Sequence, residues 1–199
     1  MRKQTKHIDS LAKNIEYIKD GDNSILRQIL FNEQKGFCTY TETYLGRTDQ
    51  KDIDHFNPSQ DYNERNNYLN LFLCKSQWNK EKSNKWKEFQ PVLSPLNNDF
   101  EDRISYNKEL KLFEATDEND VEATNLVKLL KLDNYDLSVE RRKHIELCQE
   151  LIKNYENPKE YFQKVIQTNV ANLQFIRSLE KEFVIDIWTL IPQPQYINQ

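Results

Sequence analysis

The chain has 199 residues, 37% of them hydrophobic and 12% aromatic, with only 3 glycines and a formal net charge of −4. That composition supports a real core, excludes a disordered chain and favours helices over a turn-rich β architecture. The acidic balance gives no overall attraction for nucleic acid. No apolar run reaches the length of a membrane span or leads out of a signal peptide, so a soluble, cytoplasmic protein with no membrane partner is expected. Cys38, Cys74 and Cys148 are odd in number and at no disulfide-like spacing, and reduced thiols are expected.

In chain order, residues 24–34 read as a short helix, with Ser24 as its cap, Ile25, Ile29 and Leu30 as its apolar face and Gly36 as its stop. Residues 37–45, rich in Phe, Thr and Tyr, read as a strand that pairs with the strand through Ile53 across a turn near Gly46. A loop rich in Asn and Asp leads to the apolar run 69–73. Ser76 is placed to cap a helix carrying Asn79 and Lys82 on one face. Pro91 and Pro95 mark a boundary, dividing the chain into 1–92 and 93–199. Beyond it, 104–106 and 111–113 alternate about Asn107-Lys108 as a hairpin, and an acidic stretch enters a helix through Leu130. Another helix begins at Ser138, with Ile145, Cys148, Ile152 and Tyr155 at helical spacing. Pro158 opens a last long helix, striped by Phe162, Val165, Ile166, Leu173, Ile176, Leu179 and Phe183. The proline-bearing tail from Ile191 to Ile197 cannot continue it and reads as a docking segment. The fold class expected is α+β, predominantly helical.

The chemistry-bearing residues fall in one string: Ile-Asp54-His55-Phe-Asn-Pro, then Tyr-Leu-Asn70-Leu-Phe-Leu-Cys, then Trp-Asn79-Lys-Glu-Lys82. An acid beside a histidine, closed by a proline, presents two polar side chains at a strand end. An Asn, and a second Asn followed one helical turn later by Lys82, supply an arm that can close on the first. A carboxylate, an imidazole and an amide around a shared point suit one divalent ion, Mg²⁺ or Mn²⁺, cutting a phosphodiester. Lys75, Lys80, Lys82, Lys85 and Lys87 crowd the same stretch and read as a phosphate-facing patch, against the common alternative of a solvated helix face. Trp78 and Trp86 flank it as packing residues. Taken singly, each pair reads as structural; their order and spacing together carry the signal.

That order resembles the HNH nuclease motif in its His-Asn-Asn form. The resemblance implies a ββα-metal core at the heart of the α+β fold. It makes Asp54 and Asn79 the metal ligands, His55 the general base, Asn70 the residue that ties the loop, and Lys82 a phosphate contact. Phe31-Asn-Glu-Gln-Lys-Gly-Phe-Cys-Thr-Tyr-Thr-Glu42 is similar to the segment preceding the core in the PtuB-like HNH proteins of Septu and related retron defence systems. The flanking pattern continues through Ser94-Pro-Leu, residues 104–106, Thr124 with 126–132, and Arg141-Arg-Lys. The resemblance implies an effector of bacterial antiphage defence, acting on nucleic acid (DNA favoured, tRNA as the alternative), with a PtuA-like ABC-type ATPase as partner. The chain departs from the family at its structural zinc. Cys38 is kept, but Thr41, Lys75 and Trp78 stand where the family has cysteine, and Cys74 lies one place early. Two thiols do not make the four-ligand site that structural zinc needs, so zinc is expected to be absent, with Phe37, Tyr40 and Trp78 packing in its place. The lost cysteines keep a second reading open: a catalytically weak, HNH-like adaptor that mainly binds the ATPase.

Overall fold

The computed structural model describes residues 1–193, and its architecture is α+β, about 48% helical with two small antiparallel sheets. Helix α1 (Ser24–Glu33) turns Leu26, Ile29, Leu30 and Glu33 inward. Ile25, expected on that face, is exposed, since the i, i+3, i+4, i+7 set starts at Leu26. Ser24 is the first helical residue and does not cap; the cap position is Asn23, and the Ser24 N–H donates to Asp22 Oδ1 at 2.8 Å. The stop at Gly36 is where the residue type is needed. Its φ is +84°, and a Cβ there would stand 2.6 Å from the Tyr44 ring.

Residues 37–45 do not pair with the strand through Ile53. They close on themselves: the Cys38 N–H donates to the Thr43 carbonyl at 2.9 Å, the Leu45 N–H to the Gly36 carbonyl at 2.8 Å, and Phe37 bridges Tyr44. Glu42, in the left-handed region, makes the bend. The strand that follows, β1 (Lys51–His55), pairs instead with β2 (Leu71–Lys75), in the register Asp54 opposite Phe72 and His55 opposite Leu71. Between them lies α2 (Tyr62–Arg65), capped by the Asp61 carboxylate. β2 reads as an unbroken apolar run because both its faces are buried, with α1 and α3 (Ser76–Lys85) packed near it. Its outer edge is satisfied by Gln34: the Leu73 N–H donates to Gln34 Oε1 at 2.8 Å, and Gln34 Nε2 donates back to the Leu73 carbonyl at 2.7 Å. Ser76 opens α3 without capping it, because its hydroxyl donates to Asp52 Oδ1 at 2.7 Å.

The same core continues past Pro91. Helix α4 (Phe100–Arg103) leads into the hairpin β3 (Ile104–Asn107) and β4 (Leu112–Ala115), and α5 (Val121–Leu129) starts at its Asp120 cap. Leu93, Phe100, Ile104, Phe113 and Leu126 pack in one cluster with Leu30, Tyr40, Leu71 and Trp86. The apolar core therefore crosses the expected 92/93 boundary and ends near Leu132. A second cluster gathers α6 (Tyr135–Ile152), α7 (Pro158–Asn169), α8 (Ile176–Phe183) and α9 (Ile187–Leu190), around Ile145, Phe162, Leu173, Leu179 and Ile187.

The long helix expected from Pro158 is broken. Asn169 leaves helical geometry and caps a short 3-10 turn, Thr43 bridges Gln174, and Phe175 takes a left-handed φ of 57° while its N–H donates to the Glu42 carbonyl at 2.8 Å. Helical spacing on both sides of the break makes the two pieces look like one stripe in the sequence. Ile191 is buried in the second cluster, Pro192 and Gln193 are exposed, and the expected docking tail from 194 to 197 lies outside the described residues. No helix among the described residues is long and apolar enough to cross a membrane.

Candidate functional site

Alternation along β1 decides which way each motif residue faces. Asp52 and Asp54 point towards α3, where Asp52 Oδ2 accepts from Asn79 Nδ2 at 3.1 Å and Asp54 Oδ1 pairs with the Lys82 ammonium at 3.1 Å. Two rungs thus join strand to helix, one helical turn apart. His55 lies on the other face. Its Nε2 meets Asn66 Oδ1 at 2.9 Å, and its ring lies edge-on to Tyr17 with centroids 4.6 Å apart.

Asp54 is 1% exposed and Lys82 0%. The second Asp54 oxygen accepts a short hydrogen bond from the Tyr40 hydroxyl. Lys82 Nζ also donates to the main-chain carbonyls of His55 at 2.7 Å and Phe56 at 2.8 Å, while its contact with Asp54 is an ion pair. Burial pushes the Asp54 carboxyl up, against the opposing pull of Lys82 and Tyr40, and pushes the Tyr40 hydroxyl well above its usual value. Burial also lowers His55 below the ordinary histidine value, against the Asn66 hydrogen bond and the Asp54 charge. The imidazole is therefore neutral at neutral pH.

Asn70 is buried, and its amide ties the loop after His55. Nδ2 donates to the carbonyls of Asn57 at 3.0 Å and Arg65 at 2.9 Å, while Oδ1 accepts from the Asn57 N–H at 2.8 Å. The Phe56 N–H adds a bond to the Asn70 carbonyl at 2.9 Å. The chain leaving His55 is thus pinned to the start of β2. On the His55 side, Asn66 also lines an open groove of about 840 Å³ between residues 6–16 and 62–69, with Lys13, Asn14, Tyr62 and Asn63 on its walls.

The expected site is brought together only in part. Asp54, His55, Asn70 and Asn79 lie within one strand–loop–strand–helix unit, but their side chains do not converge on one point. Asp54 and Asn79 were expected to share an ion. Each is bound to a different partner, Asp54 to Lys82 and Tyr40, and Asn79 to Asp52 and, through its Oδ1, the Ser83 hydroxyl at 3.3 Å. An ion between them would have to displace Lys82, so in this arrangement the donors do not fit one. Among the described residues, no group of three His, Cys, Asp or Glu side chains stands together as a metal site.

The basic patch is likewise redistributed. Lys82 faces inward and cannot reach a phosphate, which corrects its expected role; the physical reason is the buried Asp54 carboxylate, which needs a counter-charge. Lys80 is exposed, Lys85 pairs on the surface with Glu88, and Lys75 lies 3.6 Å from Asp49. Trp78 and Trp86 pack, the first donating its indole N–H to the Leu130 carbonyl at 3.1 Å. Cys38 and Cys74 are buried free thiols. Tyr40, Asn66 and Tyr17 are the contacts that sequence reasoning missed as site residues. Nothing in their local pattern separates them from packing or loop residues. Asp52, two residues before the Asp-His pair, accepts from both Asn79 and Ser76.

In comparisons with known proteins, no family model, no curated protein and no solved structure matches this chain.

Proposed function

We propose that β1, β2 and α3 form the ββα-metal core of an HNH-type endonuclease that cleaves phosphodiester bonds in nucleic acid, as the effector of an antiphage complex with a PtuA-like ABC-type ATPase. The observation that carries this reading is the Asn70 clasp. A motif asparagine spends its whole amide on holding the turn behind His55, at the end of the strand that bears the Asp-His pair.

In this reading His55 is the base. With Nε2 held by Asn66, Nδ1 is left to take a proton from water as the water attacks phosphorus, and burial keeps the ring unprotonated for the task. The neighbouring groove, with Lys13 and the exposed Tyr62, offers a path for a nucleic-acid strand to approach. A divalent ion would supply charge stabilisation at the phosphate. Because Asp54 and Asn79 do not fit a shared ion as arranged, no step is assigned to it.

The sealed Asp54 carboxylate favours a second reading, an HNH-like adaptor that binds the ATPase and cuts weakly or not at all. One experiment separates the two: plasmid DNA and total RNA incubated with Mg²⁺ or Mn²⁺ and the chain, alone and co-purified with its ATPase. Cleavage by the wild type that is lost in His55→Ala supports the nuclease. Equal cleavage by both proteins removes His55 from the chemistry. An intact complex with no cleavage under any condition leaves the adaptor.

A further inference from the structure

We propose that the cavity walled by Phe56, Phe72 and Trp86, beside the Asn70 clasp, binds a single nucleobase, with guanine preferred through Gln60 and Glu64. The cavity holds about 470 Å³, within the range of about 300–1,000 Å³ that small-ligand sites occupy. Its apolar wall is aromatic. The rings of Phe56 and Trp86 meet edge to face with centroids 5.4 Å apart, and Phe72 meets Phe56 at 6.3 Å. Its polar wall comes from the connection between β1 and β2, where Gln60, Glu64 and Asn67 line the same space. Gln60 Oε1 is buried and has no hydrogen-bond partner. The Glu64 carboxylate makes no hydrogen bond or ion pair among the described residues. Both are acceptors, so the ligand that completes the site must bring donors. Asn67 spends its Oδ1 on the Leu69 N–H at 2.9 Å, which leaves its amide nitrogen to donate. Two acceptors and a donor match the Watson–Crick edge of guanine, where N1–H and the N2 amino group stand beside the O6 acceptor. Adenine, cytosine and uracil offer donors at only one position of that edge.

The cavity adjoins the groove on the His55 side. Asn67 and Leu69 line both, and Leu69, 53% exposed, forms the divide between them. A single strand lying in the groove can turn one unstacked base over this divide and into the aromatic-walled cavity. Phe56 and Asn57, on the cavity wall, directly follow His55 in the chain. Nothing in the sequence marks the site, because its rings pattern as core and its amides as loop. The consequence for activity rests on the nuclease reading: the cavity is then where the base preference of the cut is set. Guanine binding itself does not depend on that reading.

The test is equilibrium binding by the full chain in EDTA, where no metal-dependent cleavage intervenes. The probes are GMP, AMP, CMP and UMP, titrated by NMR, and fluorescein-labelled oligoadenylates with and without one central guanine, titrated by anisotropy. Guanine should be preferred by about tenfold or more, the worth of one well-made pair of base contacts. A preference already present in GMP marks a free nucleotide as a ligand; one that appears only in the oligonucleotides marks a base delivered on a strand. Both support the site. The exposed substitution Glu64→Gln should abolish the preference, because an acceptor becomes partly a donor. The Trp86 indole signal should shift as guanine binds. No guanine preference with either set of probes overturns the proposal, as does a preference that survives Glu64→Gln or leaves the Trp86 signal unmoved. Cleavage is a separate readout. A chain that prefers guanine but never cuts ends the nuclease reading alone, and His55-dependent cleavage by a chain without guanine preference ends this inference alone.

Discussion

The Asp54–Lys82 pair makes a quantitative prediction about stability. Substituting Lys82 by Met keeps the volume but leaves a carboxylate at 1% exposure with no counter-charge, a change that costs about 3–5 kcal/mol. Asp54→Asn strands the ammonium in the same way and should cost about as much. The double variant removes both charges and the need to desolvate them, which by itself is neutral or stabilising by about 1–4 kcal/mol. Against that stand the carbonyls of His55 and Phe56, which lose the donors now at 2.7 and 2.8 Å, at about 1 kcal/mol each. The double variant should therefore lie within about 2 kcal/mol of wild type, and the coupling between the two sites should reach about 4 kcal/mol or more. Urea denaturation measures this directly, provided the slope is constant across the four proteins. Additive losses, with the double variant as unstable as the two singles summed, would refute the reasoning: the two charges would then not be facing one another.

Other outcomes follow from the same contacts. Asn70→Ala breaks three hydrogen bonds in a partly buried turn and should cost about 2–4 kcal/mol, with the Asn57 amide losing its protection in hydrogen exchange; a protected Asn57 would remove Asn70 from the clasp. If His55 is the base, the cleavage rate should hold as pH falls below about 6.5 and drop only at the lower value set by burial; a midpoint above 6.5 contradicts a buried neutral ring. Lys6, whose ammonium donates to the Leu71 carbonyl and lies 4.1 Å from the Phe72 ring, is brought down by burial to about 7. The unfolded chain, with lysine near 10.4, then holds more protons between those values, so stability should rise as pH increases from about 7 towards 10. That rise should flatten in Lys6→Met, and an NMR titration of Lys6 near its usual value would cancel the expectation.

Much of the local structure was legible in the sequence because short-range physics writes it. Helix α5 follows its Asp120 cap, α7 its first-turn Pro158, and the β3–β4 hairpin its alternating residues, and the start of each is read within a few residues of where it stands. The order Asp54-His55, Asn70, Asn79 was legible too, as was the work of Asn70 in tying the loop. Tertiary contacts alone decided the rest. Residues 37–45 pattern as a strand, yet the Glu42 bend and the bond from Phe175 to its carbonyl fold them into a closed turn. The helix after Pro158 keeps its stripe across a break made by the Thr43–Gln174 bridge and the left-handed Phe175. Most of all, the sequence presents Lys82 as one of five lysines on a basic stretch. Which of them turns inward depends on the Asp54 carboxylate lying on the helix-facing side of β1, a fact set by strand register across a 15-residue connection. Propensity and capping act over a few residues and can be read along the chain. The partner of a buried charge is chosen by packing, and only the folded molecule holds that information.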